Sequence, residues 1–218
     1  MTTRIKVCCI ETPAEAGLAR KEGADVLGLV SSMPSGPGVI SEDEIASIVA
    51  TTPRGTETYL LTSLTHPDDI AHQHNRCATT GIQLCDRLPP GIHRRLRDVL
   101  GGVTLVQVIH VTGDASVHEA VRVSREVDFL LLDSGRPNAP TRELGGTGRI
   151  HDWEVSRRIR ESVDTPVFLA GGLTPENVGR AVETVRPYGV DVCSGVRGPA
   201  GLDGARLHAF VGAVRAAG

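Results

Sequence analysis

In "RIKVCCI", residues 4–10, a cysteine stands two places beyond a lysine, a spacing that could do proton chemistry. Alternate side chains of a β-strand share a face. Arg4, Lys6 and Cys8 therefore project one way and Ile5, Val7 and Cys9 the other. A cation beside a thiol favours the thiolate, which would make Cys8 a base or a nucleophile. Most unpaired cysteines are instead small buried hydrophobes, so Cys8 needs a partner to count. Asp133 is the candidate partner. It ends the apolar run "DFLLLDSG", where a carboxylate either caps a loop or serves as an acid facing the thiol across one small substrate.

A second kind of chemistry is suggested by "VFLAGGLTPENV" and "GVDVCSGVRG". Gly171 and Gly172 stand between a strand-like run and a helix expected to begin near Thr174, so their amides could meet an anion at the positive end of that helix. Ser194 and Gly195 repeat the arrangement. One such loop is explained by a tight turn that needs glycine; two in succession read better as a phosphate site.

These residues need elements to hold them. Eight short apolar runs recur along the chain: "RIKVCCI", "DVLGLV", "TYLLTS", "GIQLC", "VTLVQVI", "DFLLLD", "PVFLA" and "VDVCSG". Helix-like segments alternate with them, and three of these open on good first-turn sequences at Thr12, Ser41 and Thr174. No linker interrupts the alternation. Parallel strands joined by crossover helices are implied, and eight units favour a single (β/α)8 barrel over residues 1–218, with a doubly wound open sheet as the alternative. In such a barrel the strand ends and the loops after them carry the chemistry. That rule gathers Cys8, Cys9, Cys85, Asp86, His110, Asp133, Gly171, Gly172, Ser194 and the loop "VSSMPSGPGVIS" at one mouth.

The remaining composition mostly excludes. A net charge of −3 with interspersed signs is not the basic stripe of a nucleic-acid surface. No apolar run nears the roughly 20 residues of a membrane span, and the N-terminal residues lack the apolar core of a secretion signal, so a cytoplasmic protein is expected. Five cysteines, an odd number, with Cys8 and Cys9 on opposite faces of a strand, argue against a disulfide framework. No metal site is expected: there is no CxxC pair, and His72 to His74 read as a solvated helix face. "GGTG" in the long stretch after Asp133 lacks the lysine of a P-loop, so that stretch reads as a substrate-covering loop.

Taken together, these segments resemble the phosphoribosylanthranilate isomerase family nearly end to end. The family's first-strand pattern Lys-Ile-Cys-Gly-Ile stands here as "KVCCI"; "LLLDSG", "GGTGRIHDW" and "FLAGGLTPENVGRAVETVRPYGVDVCSGV" match its last three strands and their loops. The resemblance implies a (β/α)8 barrel that performs an Amadori rearrangement of an N-aryl phosphoribosylamine without a cofactor. It further implies Asp133 as general acid on the ring oxygen and Cys8 as general base at C2. Gly171, Gly172, Ser194 and Gly195 would hold the phosphate, and Lys6, Ser35, Gly38, Gln83 and Gly146 would border the substrate.

The departures cluster at one end. The family's strand-two loop ends in Ser-Pro-Arg, whose arginine pairs with the anthranilate carboxylate; Gly38 stands in its place. Such a contact contributes on the order of 1.5–3 kcal/mol, and Arg136, Arg142 and Arg149 are the candidates to replace it. Cys85 and Asp86 replace His-Gly, Cys193 a serine, Arg197 a glutamate and His151 a phenylalanine. Two further readings stay open: the same chemistry on an amine other than anthranilate, and a non-catalytic barrel that binds a sugar phosphate. The oligomeric state is not legible.

Overall fold

The computed structural model describes residues 2–135, 143–145 and 148–218. Strands β1 (Arg4–Val7), β2 (Val26–Val30), β3 (Glu57–Thr62), β4 (Gly81–Leu84), β5 (Thr104–His110), β6 (Phe129–Asp133), β7 (Val167–Leu169) and β8 (Gly189–Val192) pair in parallel, each with its sequence neighbour. β8 returns to β1, with Lys6 opposite Asp191 and Val7 opposite Val192, so the sheet closes. Helices α1 (Pro13–Lys21), α2 (Glu42–Thr51), α3 (Pro67–Cys77), α4 (Ile92–Leu100), α5 (Asp114–Ser124), α6 (Trp153–Ser162), α7 (Val178–Val185) and α8 (Gly204–Ala217) link the strands and follow the last one. This is the (β/α)8 barrel expected from the alternation of segments.

Strand side chains divide between two cores. Ile5, Val7, Leu27, Leu29, Leu60, Leu130 and Leu132 face outward into one continuous layer with the helices. Val26, Tyr59, Leu61, Val106, Val108, Leu131 and Phe168 fill the barrel interior. A period of two therefore sorts the strands, but every strand residue except a few at the ends is buried, as a helix-wrapped parallel sheet requires.

Local chemistry sets the helix starts. The Thr12 side chain accepts from the Glu15 amide, and Ser41 forms a reciprocal capping box with Glu44. Thr174, by contrast, does not cap α7: residues 174–177 form a turn in which the Thr174 amide donates to Asn177, and the helix starts at Val178. α4, short and rich in arginine, escaped the periodicity. α6 follows the long loop and opens at Asp152, whose side chain accepts from the Glu154 amide. His74, expected on a solvated face, is buried, its Nε2 donating to the Thr79 carbonyl at 2.8 Å; His72 alone of that pair is exposed.

The first strand carries the largest correction. β1 ends at Val7, and Cys9 adopts a left-handed backbone at φ 60°. The alternation breaks there, so Cys9 turns into the barrel mouth beside Cys8 instead of outward.

Closure of the barrel rests on a small residue at the start of β8. A Cβ at Gly189 would lie inside the Phe168 ring and 3.0 Å from the Arg4 carbonyl. Gly189→Ala should therefore cost about 1–3 kcal/mol of overpacking, a fall of roughly 2–12 °C in the midpoint of thermal unfolding for a chain of this size. A midpoint within about 1 °C of the parent would show that the seam tolerates the methyl group.

Candidate active site

At the C-terminal ends of the strands lies one cavity. Cys8 and Cys9 reach it from the end of β1, Gln83 and Cys85 from β4, Asp133 from β6, and Asp191 from β8. Gly171 and Gly172 border it after β7, and Ser194 after β8. Ser35 and Pro37 come from the loop after β2, which continues into an apolar wall of Val30, Met33 and Leu61. Residues at or after the ends of seven strands thus meet in one place, as the barrel rule requires.

The thiol and the carboxyl of that cavity are both buried, and burial raises both. Cys8 is 6% exposed, and burial pushes its thiol up to about 12, with the neighbouring Lys6 cation pulling the other way. Lys6 itself does not line the cavity; it lies beneath it, 0% exposed, with Nζ 2.9 Å from Asp191 Oδ1. Burial would lower the lysine, but Asp191 and the adjacent thiols outweigh it, so Lys6 is held above its ordinary value and stays charged. Asp133 is raised above the usual carboxylate range, first by burial. The Ser134 amide, donating to Oδ1 at 2.7 Å, and His110 offset only part of that. Burial thus disfavours the charged form of both groups.

The other end is built from backbone. Gly171 and Gly172 both lie in the left-handed region, at φ 82° and 63°. A Cβ at Gly172 would sit 2.7 Å from the Arg149 carbonyl carbon and 2.9 Å from the Gly148 oxygen, and one at Gly171 would sit 3.2 Å from Asp133 Oδ1. Only glycine lets the loop pass between the acid and the segment at 148–149. A Cβ on Gly148 would lie 3.7 Å from Ser194 Oγ, so three loops bring backbone and a hydroxyl together at this end. Such a cradle suits a phosphate.

Several residues fall outside their expected places. Gly195 does not line the cavity; its Cα is pressed against the Leu173 carbonyl, holding the loops after β7 and β8 together. Gly38 is also withdrawn, packed behind Cys9. Gly146, Arg136 and Arg142 lie outside the described residues. Arg149 bonds Glu143 and borders a separate hollow, and Arg197 is engaged by Glu11 and Glu15 at 2.9 Å each. Among the described lining residues there is no lysine or arginine. His151 is half-buried near Gly171, and desolvation lowers it to about 4.

Two features went unread in the sequence. Asp191 was hidden between valines in "VDV", although its inward position opposite Lys6 follows once β8 is paired with β1. Cys9 and Cys193 form a disulfide across 184 residues, against the expectation of none. An odd cysteine count excludes full pairing but not one bridge, and the left-handed turn at Cys9 is what aims it at Cys193. Cys8, Cys77 and Cys85 are free.

Comparison with known proteins gives the same picture over the whole chain. The family model described as N-(5'phosphoribosyl)anthranilate (PRA) isomerase matches residues 5–211. An N-(5'-phosphoribosyl)anthranilate isomerase of Halobacterium salinarum is 38% identical over 212 residues, 96% of this chain and 94% of the relative. One of Methanocella arvoryzae is 34% identical over 194 residues, 89% of each chain. Among solved structures, the phosphoribosyl anthranilate isomerase of Thermotoga maritima superposes with a TM-score of 0.84 at 26% identity, covering 99% of this chain and 100% of that one. That of Thermococcus kodakaraensis gives 0.79 at 29% identity, covering 98% and 99%. With the match running from the first strand to the last helix, this chain belongs to the N-(5'-phosphoribosyl)anthranilate isomerase family.

Proposed function

We infer that this chain isomerises N-(5'-phosphoribosyl)anthranilate to the corresponding 1-amino-1-deoxyribulose phosphate by an acid–base Amadori rearrangement. The observation that carries this reading is one cavity that brings together a buried carboxyl at Asp133, a thiol at Cys8 above the buried Lys6, and the glycines 171 and 172 beside Ser194, with no lysine or arginine among the described lining residues.

The substrate's phosphate lies in the cradle, and its aryl group lies toward Val30, Met33 and Leu61. Asp133 donates its proton to the furanose oxygen as the C1–O bond breaks, and the nitrogen lone pair forms the C1=N bond. Cys8, as the thiolate, takes the proton from C2, and the electron pair moves to neutralise the iminium nitrogen. The enolamine then gains a proton at C1 and loses the one on its C2 hydroxyl, which leaves the ketone. Burial serves the acid directly, because it keeps a proton on a carboxyl at neutral pH. It opposes the base, and Lys6 is the group that lowers the cost of ionising Cys8. Gln83 Oε1 is buried and accepts no hydrogen bond from the described residues, so it is placed to accept one from a sugar hydroxyl.

Positioned acid–base groups contribute about 10²–10⁴-fold each. Cys8→Ala and Asp133→Asn should each lower kcat/KM on phosphoribosylanthranilate by that order, with thermal unfolding little changed; activity within tenfold of the parent in both variants would refute the assignment.

The pH profile follows from the two shifts. Asp133 works protonated, so its contribution falls as pH rises through its raised pKa. Cys8 works as the thiolate, so its contribution grows as pH rises toward about 12. The rate should therefore climb with pH from the acid side and bend over once Asp133 ionises. A Lys6→Met, Asp191→Asn double variant removes the cation without leaving a buried charge unpaired. Its climb should lag the parent's at every pH, whereas superimposable profiles would show that Lys6 does not act on the thiol.

A further inference from the structure

Four of the five cysteines wall the same cavity: Cys8, Cys9, Cys85 and Cys193. Two of them are joined, and the join has a particular place. Cys9 follows Cys8 in the chain, and Cys193 precedes Ser194. The bond therefore connects the residue beside the base to the residue beside the phosphate-binding hydroxyl, across a Cα–Cα distance of 5.8 Å. Resting on the roles given above to Cys8 and Ser194, we propose that the Cys9–Cys193 disulfide is a redox-sensitive positioning clamp that fixes the base relative to the phosphate end of the site.

Three contacts make Cys9 a position whose side chain matters. Its backbone is left-handed at φ 60°, a conformation that residues other than glycine, asparagine and aspartate adopt only when held there. The holding groups are visible. Its side chain is bonded to Cys193, its carbonyl accepts from Arg197 Nη1 at 2.7 Å, and Gly38 of the loop after β2 packs on it so closely that a Cβ there would lie 2.8 Å from the Cys9 Cα and inside its Cβ. Cutting the disulfide removes the first of these and leaves the other two. The hold on the left-handed backbone of Cys9 is then weakened, and with it the placement of the adjoining Cys8.

The chemistry is a two-electron exchange with a dithiol. A dithiol's thiolate attacks the sulfur of Cys193, which is only half-buried, and expels Cys9 as a thiolate. The second thiol then displaces Cys193, so two electrons and two protons end on the two cysteines and the dithiol leaves as its own disulfide.

The test compares the full-length protein oxidised in air with the same protein reduced by dithiothreitol. Thiol titration in denaturant should count three free thiols in the first and five in the second. Reduction should lower kcat on phosphoribosylanthranilate at least fivefold, while the inhibition constant of inorganic phosphate, which reads the cradle alone, moves less than twofold. Reoxidation should restore the rate. Cys193→Ser should behave as the reduced protein in both conditions, whereas Cys77→Ser, altered on α3 away from the cavity, should keep the redox response. A general structural role would move the phosphate constant together with kcat; thermal unfolding falls on either reading, because the cross-link is lost. Five free thiols in the air-oxidised protein, or a kcat that ignores the redox state, would overturn the clamp alone. Absence of turnover in both states with the disulfide intact would overturn the functional reading and the clamp with it.

Discussion

A single buried ion pair, Lys6 with Asp191, sits where the barrel closes and where the proposed base stands. The two residues face each other in the register of β1 and β8, almost without solvent, 2.9 Å apart. Deleting one partner of such a pair costs about 3–5 kcal/mol, yet replacing both with apolar groups is often neutral. Stability alone is thus a poor reason for a fully buried lysine. Its position under Cys8 is a better one: the pair brings a positive charge to a thiol that burial would otherwise hold protonated. The same seam carries the next two layers upward, Cys8 at the base position and then the Cys9–Cys193 bridge, with Arg197 bonded to the Cys9 carbonyl above.

The cavity solves its two binding problems by different means. The proposed phosphate end uses glycines at 171 and 172 that let the backbone come close, and the Ser194 hydroxyl, with Gly195 packing the two loops together; no lysine or arginine stands among the described residues that line the cavity. The reactive end uses burial, which helps a carboxyl that must donate and hinders a thiol that must accept. The lysine compensates on that side only. The remaining wall, Val30, Met33 and Leu61, offers apolar surface for a ring.

Much of this was legible in the sequence. The eight apolar runs gave the strands, and Cys8, Asp133, Gly171, Gly172 and Ser194 all reached the cavity because a period of two and the strand-end rule fix both face and height. What failed depended on information that periodicity does not hold. The left-handed turn at Cys9 reversed the face of one side chain, and with it the disulfide that no spacing rule gives for residues 184 apart. Gly38 and Gly195 were placed on the cavity wall, but both are glycines because a neighbouring residue, Cys9 or Leu173, fills the space of a side chain. Asp191 was missed since its meaning lies in a partner on a strand at the opposite end of the chain. Helix α4 was missed because arginines obscure its apolar stripe, which only Leu96 and His93 bury fully.

The central claim is that the C2 hydrogen leaves the substrate as a proton taken by Cys8. Phosphoribosylanthranilate deuterated at C2 of the ribosyl group tests this most directly. The account predicts a primary isotope effect on kcat/KM and deuterium released to solvent during turnover. Deuterium carried quantitatively to C1 of the product would mean that the hydrogen moves as hydride, with no base between, and would contradict it.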